Sequence, residues 1–218
     1  MRGALRYACR TLLITRQRPG RNGRAFGARA GLGHDPAVIL GEKVRLRRPE
    51  RVDLARFSTW LNDPEVRRHL ALIYPMSVAH EEQWFEEQLK AEPAVQAFVI
   101  EARPSGAEAG WEPVGVIGFH AIDWRSRAGE LGLFIGDKSF WNAGNGTDAV
   151  RTLVGWGFRE LNLNRVSLRV FEDNAAAIRC YEKTGFRLEG RLRQDRYQDG
   201  RYLDTLVMGL LREESGGA

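Results

Sequence analysis

The chain is short of cysteine, lacks any long apolar run, and opens with a segment that has no acid at all. Each absence closes off a class of protein. Two cysteines, Cys9 and Cys180, are spread over 218 residues. A pair so far apart builds neither a disulfide framework nor a zinc site, and sparse cysteine suits a reducing compartment. No metal is expected. No apolar run approaches the roughly 18 residues that read as a membrane helix, so no membrane partner is expected either. Residues 1–34 hold no Asp, Glu or Lys but eight arginines. The formal charge of +5 therefore belongs to this leader. Setting its arginines aside leaves 25 basic residues against 28 acidic ones, a net of −3. That balance gives no support to a nucleic-acid partner for the folded body.

What is present fits one ample globular domain. Hydrophobic residues make up 43% of the chain and charged residues 28%, ordinary values for a packed domain. Three parts follow: a basic leader, 1–34; a body, 35–213; and a tail, 214–218. The leader reads as a disordered extension. Its start also places Leu5, Cys9, Leu12 and Leu13 on one helical face, as an organellar transit peptide does. The expected location is the cytoplasm, or an organelle if the leader is such a peptide.

In the body, VILGEKVRLRRP reads as a strand in which Val44 and Leu46 alternate. Helices are expected over Arg51–Leu61, Glu65–Leu70 and Ser77–Lys90, with Asn62-Asp63-Pro64 as a turn and cap. AFVIEAR, PVGVIGFHAID and ELGLFIG read as strands, the first two parted by loop 104–112. A helix from Thr147 to about Leu161 carries Val150, Leu153, Val154, Gly157 and Phe158 on one face. Arg165–Phe171 is a strand. Asn174 caps a helix running to about Thr184, which Gly185 ends. Two last strands form a hairpin around Gln198-Asp199-Gly200. This mixture predicts an α+β fold with a mostly antiparallel sheet.

FWNAGNGTDAV, Phe140–Val150, sets two glycines between a strand and a helix start. Such a turn aims several N–H groups at one point, where the helix dipole adds about half a positive charge. A phosphate is the natural guest, and a bare tight turn is the plain alternative. A P-loop is excluded because no lysine precedes Thr147. A dinucleotide fingerprint fails for want of a third glycine and of repeated βαβ units.

That stretch, followed by LRVFEDNAAAIRCYEKTGF, 168–186, resembles the GNAT superfamily of acyl-CoA-dependent N-acyltransferases. WLNDPEV, 60–66, and EGRLRQDRYQDGRYLDTLVMGL, 189–210, are similar to the branch of ribosomal-protein N-terminal and spermidine N-acetyltransferases. The resemblance spans about Val44 to Leu211. It implies a GNAT fold with a splayed central strand pair and acetyl-CoA as co-substrate. The pyrophosphate would rest on Asn142, Ala143, Gly144, Asn145, Gly146 and Thr147. The pantetheine arm would lie like an added strand beside Leu133, Phe134, Ile135 and Gly136, away from 165–171. Asn174 would bond that arm. Many relatives carry Gln or Arg three residues before the first glycine; Trp141 stands there, so binding would lean on backbone amides.

The resemblance also implies that Tyr181 serves the departing sulfur. A thiol titrates near about 8.5 and a phenol near about 10, so full proton transfer is uphill. Hydrogen bonding to the developing thiolate is the sounder role. An amine attacks only when neutral, so a base or a water chain must take a proton. Glu130, at the start of the strand flanking the thioester, is the first candidate, and His120 is the alternative. Some relatives have a glutamate on the strand before the Asn motif; its nearest match is Arg169. Cys180 points about 100° from Tyr181 on a helix and reads as a core residue, not a nucleophile. The acids Asp63, Glu65, Glu81, Glu82, Glu86 and Glu87 offer a region that could attract a cationic amine. The expected activity is N-acetylation of a primary amine by direct attack. The acceptor would be a protein N-terminus, a polyamine or an amino sugar, and the protein a homodimer or larger homo-oligomer. The rival is a non-catalytic acyl-CoA sensor or assembly module.

Overall fold

The computed structural model describes residues 38–104 and 110–216; the leader and residues 105–109 lie outside the described residues. Eight strands form one sheet in the order β1-β2-β3-β4-β5-β6-β8-β7. They are β1 Val38–Leu40, β2 Val44–Arg47, β3 Phe98–Ala102, β4 Glu112–Asp123, β5 Ala128–Ile135, β6 Arg165–Phe171, β7 Arg187–Gln198 and β8 Arg201–Leu211. The helices are α1 Leu54–Asn62, α2 Pro64–Arg67, α3 Val78–Lys90, α4 Asn145–Arg159 and α5 Ala175–Lys183. The α+β class is as expected.

Two apolar layers sandwich the sheet. Strand β3 shows why: Phe98 and Ile100 face a core that includes Val150, Leu153, Val154 and Phe158 of α4. Its alternate residue Val99, with Val116 of β4, faces Leu54, Phe57 and Trp60 of α1 and Trp84 of α3. A strand covered on both faces carries continuous hydrophobic sequence rather than alternation. Each large side chain so buried contributes about 1.5–3 kcal/mol.

Every neighbouring strand pair is antiparallel except β5 with β6. That parallel pairing joins Ala128–Glu130 to Arg165–Ser167 and then stops. Beyond it, β5 follows β4 as far as Ile135, while β6 follows β8 as far as Phe171. A cleft opens between them. A bulge in β4 lies at the same level, where Phe119 pairs with Leu131 and Ala121 with Glu130, leaving His120 as the extra residue. A bulge bends its strand and sharpens the twist.

Two local expectations give way. VILGEKVRLRRP is two strands, because the chain turns at Gly41, whose N–H donates to Val44 O at 2.8 Å. The helix expected over Glu65–Leu70 is the single turn α2. Asp63 caps it, its Oδ1 accepting from Glu65 N at 2.9 Å, and the chain then leaves helical geometry. At the far end, Glu214 accepts from Leu211 N at 3.1 Å and pairs with Arg187 at 2.7 Å. No helix among the described residues is long and apolar enough to cross a membrane.

Candidate active site

The cleft between β5 and β6 is the mouth of a cavity of about 770 Å³. Leu133, Phe134 and Ile135 line one wall, and Val170 and Phe171 the other. Each wall is a strand edge that has lost its neighbour, so unpaired backbone groups face the gap.

At one end stands the loop 141–147. Asn142 and Gly144 both adopt left-handed backbone, with φ of 57° and 85°. Residues of that kind interleaved with ordinary ones fold successive N–H groups into a concave, anion-seeking nest. Helix α4 begins at Asn145, two residues earlier than expected, and points its N-terminus into the same space. Asn142, Gly144, Asn145, Gly146 and Thr147 line the cavity. Ala143 does not; its carbonyl is turned away and accepts from Lys43 Nζ at 3.0 Å. Asn145 Nδ2 donates to Phe140 O at 3.1 Å and braces the loop from within. Trp141 has a definite task in place of a charge: its indole N–H donates to Ile135 O at 2.9 Å, tying the loop to β5. Gly136 lies outside the lining; its N–H closes the end of β5 by donating to Val114 O at 2.8 Å.

Helix α5 forms a third side. Asn174 caps it, Oδ1 accepting from Ala177 N at 3.1 Å, and also lines the cavity. Tyr181, two turns on, is 6% exposed and packs on Phe186 while facing the same space. Cys180 packs against the core as expected, but it is only partly buried and lines the cavity too. Thr147 Oγ1 lies 3.4 Å from its sulfur. Burial raises the thiol pKa against the opposing pull of Thr147, so the group stays protonated near neutrality.

The two base candidates fare differently. Glu130 is absent from the lining; its carboxylate stands 3.7 Å from Arg169 Nε. His120, carried inward by the bulge, does line the cavity. Its ring lies over Gly132, where a Cβ would come within 1.8 Å of Nε2. Burial lowers the His120 pKa below 6.5, and the facing Glu130 carboxylate only partly opposes this. The imidazole is therefore neutral at pH 7. Arg169 also lines the cavity, its Nε held beside Glu130.

The acid cluster does not form the expected attractant. Arg51 holds Glu82 and Glu86. Lys138 holds Asp63 at 2.8 Å and Glu65 at 2.5 Å. Glu81 is buried away from the cavity, and desolvation pushes its pKa up to about 7. Of these acids only Glu65 reaches the cavity.

The far end of the cavity is built by residues that sequence reasoning left unassigned. His69 Nδ1 lies 3.5 Å from Asp173 Oδ1, and both residues line the cavity with Arg68 and Asp195. Burial lowers the His69 pKa, Asp173 pulls it up, and Arg68 and Arg196 push it down. Arg196 fastens this end together. Its Nη2 donates to Arg68 O and Leu70 O at 2.7 and 3.2 Å, and its guanidinium lies 3.6 Å over the Phe171 ring. Among the described residues no group of three or more His, Cys, Asp or Glu is placed to hold a metal.

A parallel strand pair that opens over a helix N-terminus, with a buried tyrosine facing the gap, defines an acyltransferase architecture. The family model described as the acetyltransferase (GNAT) domain matches residues 43–187. The chain belongs to that family and is an N-acetyltransferase by kinship. It is 28% identical to the uncharacterized N-acetyltransferase p20 of Bacillus licheniformis, over 83% of this chain and 99% of that one. It is 26% identical to the spermidine N(1)-acetyltransferase of Escherichia coli K12, over 78% and 87%. The solved spermidine N-acetyltransferase of Vibrio cholerae, in complex with CoA and spermine, shares the fold. The TM-score is 0.69 at 24% identity, over 79% of this chain and 98% of that chain.

Proposed function

We propose that the protein transfers the acetyl group of acetyl-CoA to a primary amine by direct attack. One observation supports this above the rest: the phosphate-seeking loop and Tyr181 face a single cavity at the point where β5 and β6 part. A carrier laid along β5 would set its phosphates on the loop and its thioester near Tyr181. The V. cholerae neighbour, solved with CoA, supports that choice of carrier.

In this reading the neutral amine attacks the thioester carbon, the C–N bond forms, and the C–S bond breaks. The electron pair leaves on sulfur, where Tyr181 donates a hydrogen bond. The proton shed by the nitrogen goes to the neutral imidazole of His120, and the Glu130 carboxylate stabilises the imidazolium. Glu130 thus acts through His120 rather than on the amine. The acceptor is a protein N-terminus, a polyamine or an amino sugar, held at the end formed by His69, Asp173 and Asp195. That end carries both signs of charge, so bulk attraction of a polycation is not its means of selection.

The test is thiol release from acetyl-CoA by the full chain, offered spermidine, amino sugars and short peptides with free N-termini. Turnover with one class is expected. Tyr181→Phe should cut kcat about 100-fold, the low end for losing one hydrogen-bond donor to developing charge. No thiol release with any amine, and no thermal shift with acetyl-CoA, would sink the reading.

A further inference from the structure

Lys43 stands behind the phosphate loop rather than in the cavity. It lies in the turn just before β2, and its Nζ reaches the Ala143 carbonyl at 3.0 Å across a separation of 100 residues. A Cβ built on Gly144 would lie 3.4 Å from the same nitrogen. The lysine backbone is fixed as well. Lys43 N and Val44 N donate to Asp148 Oδ2 at 2.7 and 3.0 Å. Asp148 is 4% exposed and sits in the first turn of α4. The turn that carries the lysine and the start of β2 are thus bolted to the helix that follows the loop.

Two effects follow at the loop. The Ala143 C=O and the Gly144 N–H belong to one trans peptide and point in opposite directions. Holding the carbonyl back against Lys43 aims that N–H forward, on the side where Gly144 lines the cavity. The ammonium also adds a whole charge beside the partial charge of the helix N-terminus. Trp141, on the same loop, brings no charge, and its indole N–H is engaged by Ile135 O.

We propose that Lys43 is the positioning cation of the phosphate loop, aiming the Gly144 N–H at the pyrophosphate of the acyl carrier and supplying the charge that Trp141 does not. This rests on the acyl-CoA reading above. Arg179 and Lys183 reach the cavity from α5, so loss of Lys43 weakens carrier binding without abolishing it.

The experiment is calorimetric titration of CoA into the full chain at about 50 mM and about 500 mM salt, since screening separates charge from shape. Lys43→Met should bind CoA about tenfold more weakly at the lower salt, a gap that narrows to under about threefold at the higher. Lys43→Arg should stay within about twofold of wild type. The ligand-free melting temperatures of both variants should lie within about 2 °C of wild type. Lys43→Met binding CoA as wild type does at both salts overturns the proposal. So does a loss of equal size at both salts with a lowered melting temperature, which marks the lysine as a fold support. A wild-type chain that does not take up CoA removes the acyl-CoA reading itself, and the two failures are told apart by that control.

Discussion

The two ends of the cavity are finished to different degrees. At the carrier end the polar groups are already committed. Trp141 bonds Ile135 O, Asn145 bonds Phe140 O, Lys43 bonds Ala143 O, and Asn174 caps α5. At the other end, Arg169 Nη1 and Thr205 Oγ1 are buried without a hydrogen-bond partner among the described residues, and His69 Nδ1 and Asp173 Oδ1 have only each other, 3.5 Å apart. All four of those residues line the cavity. A buried polar atom left unpaired costs about 1–3 kcal/mol. In the proposed reading the loop end is shaped in advance for one constant carrier, and the end at His69 and Asp173, with bonding capacity in reserve, is where the acceptor would be selected.

The largest effect should come from the residue at the junction of the two ends. His120→Gln is expected to lower kcat/KM about 100-fold, the usual worth of a general base. The pH profile carries the sharper test. His120 must be neutral to accept a proton, and its pKa lies below 6.5. Because the amine must be neutral as well, wild-type kcat/KM should fall with slope one below the pKa of the amine and with slope two below the lower pKa of His120. In His120→Gln the lower break should vanish and the amine's break remain. A variant that keeps the lower break would show that the base lies elsewhere.

A smaller change should separate the ends outright. Asp173→Asn removes the charge facing His69 while keeping the shape. The KM for the amine is expected to rise about tenfold, in line with loss of one charge-assisted contact. The Kd for CoA should not move, because Asn174 and α5 remain in place. If CoA affinity falls alongside, the two ends are a single coupled unit and the contrast between them is false.

Much of the carrier end was legible in the sequence because it is local. The strand, the glycine pair, the apolar face of α4 and the Asn174 cap all fall within runs short enough for spacing to report them. The acceptor end is made by contacts between distant segments. His69 meets Asp173, and Arg196 reaches the carbonyls of Arg68 and Leu70, across separations that no periodicity encodes. The acids of the 63–87 region misled for the same reason. Their partners Arg51 and Lys138 become visible only once the chain is folded. Lys43 was hidden likewise, since a lysine in a turn before a strand has nothing in its neighbourhood to mark it.

The glycine pair itself divides into two unlike residues, and the finest test uses that difference. Gly144 caps α4 at φ 85°, where a side chain strains the backbone by about 1–2 kcal/mol. Gly146 lies inside α4, and a Cβ there would meet nothing nearer than 3.9 Å, from Cys180, Ile135 and Leu133. Gly144→Ala should therefore lower the melting temperature of the ligand-free chain by several degrees, about 1 kcal/mol being worth a few degrees at this size. Gly146→Ala should leave it unchanged or raise it, since alanine favours a helix by up to about 1 kcal/mol over glycine. Yet the added methyl points between β5 and α5, where the carrier arm is proposed to lie, so CoA affinity should fall by about threefold to tenfold. A stabilised Gly146→Ala that binds CoA fully would mean that the arm takes another course through the cavity. A destabilised one would mean that the second glycine serves the fold and not the ligand.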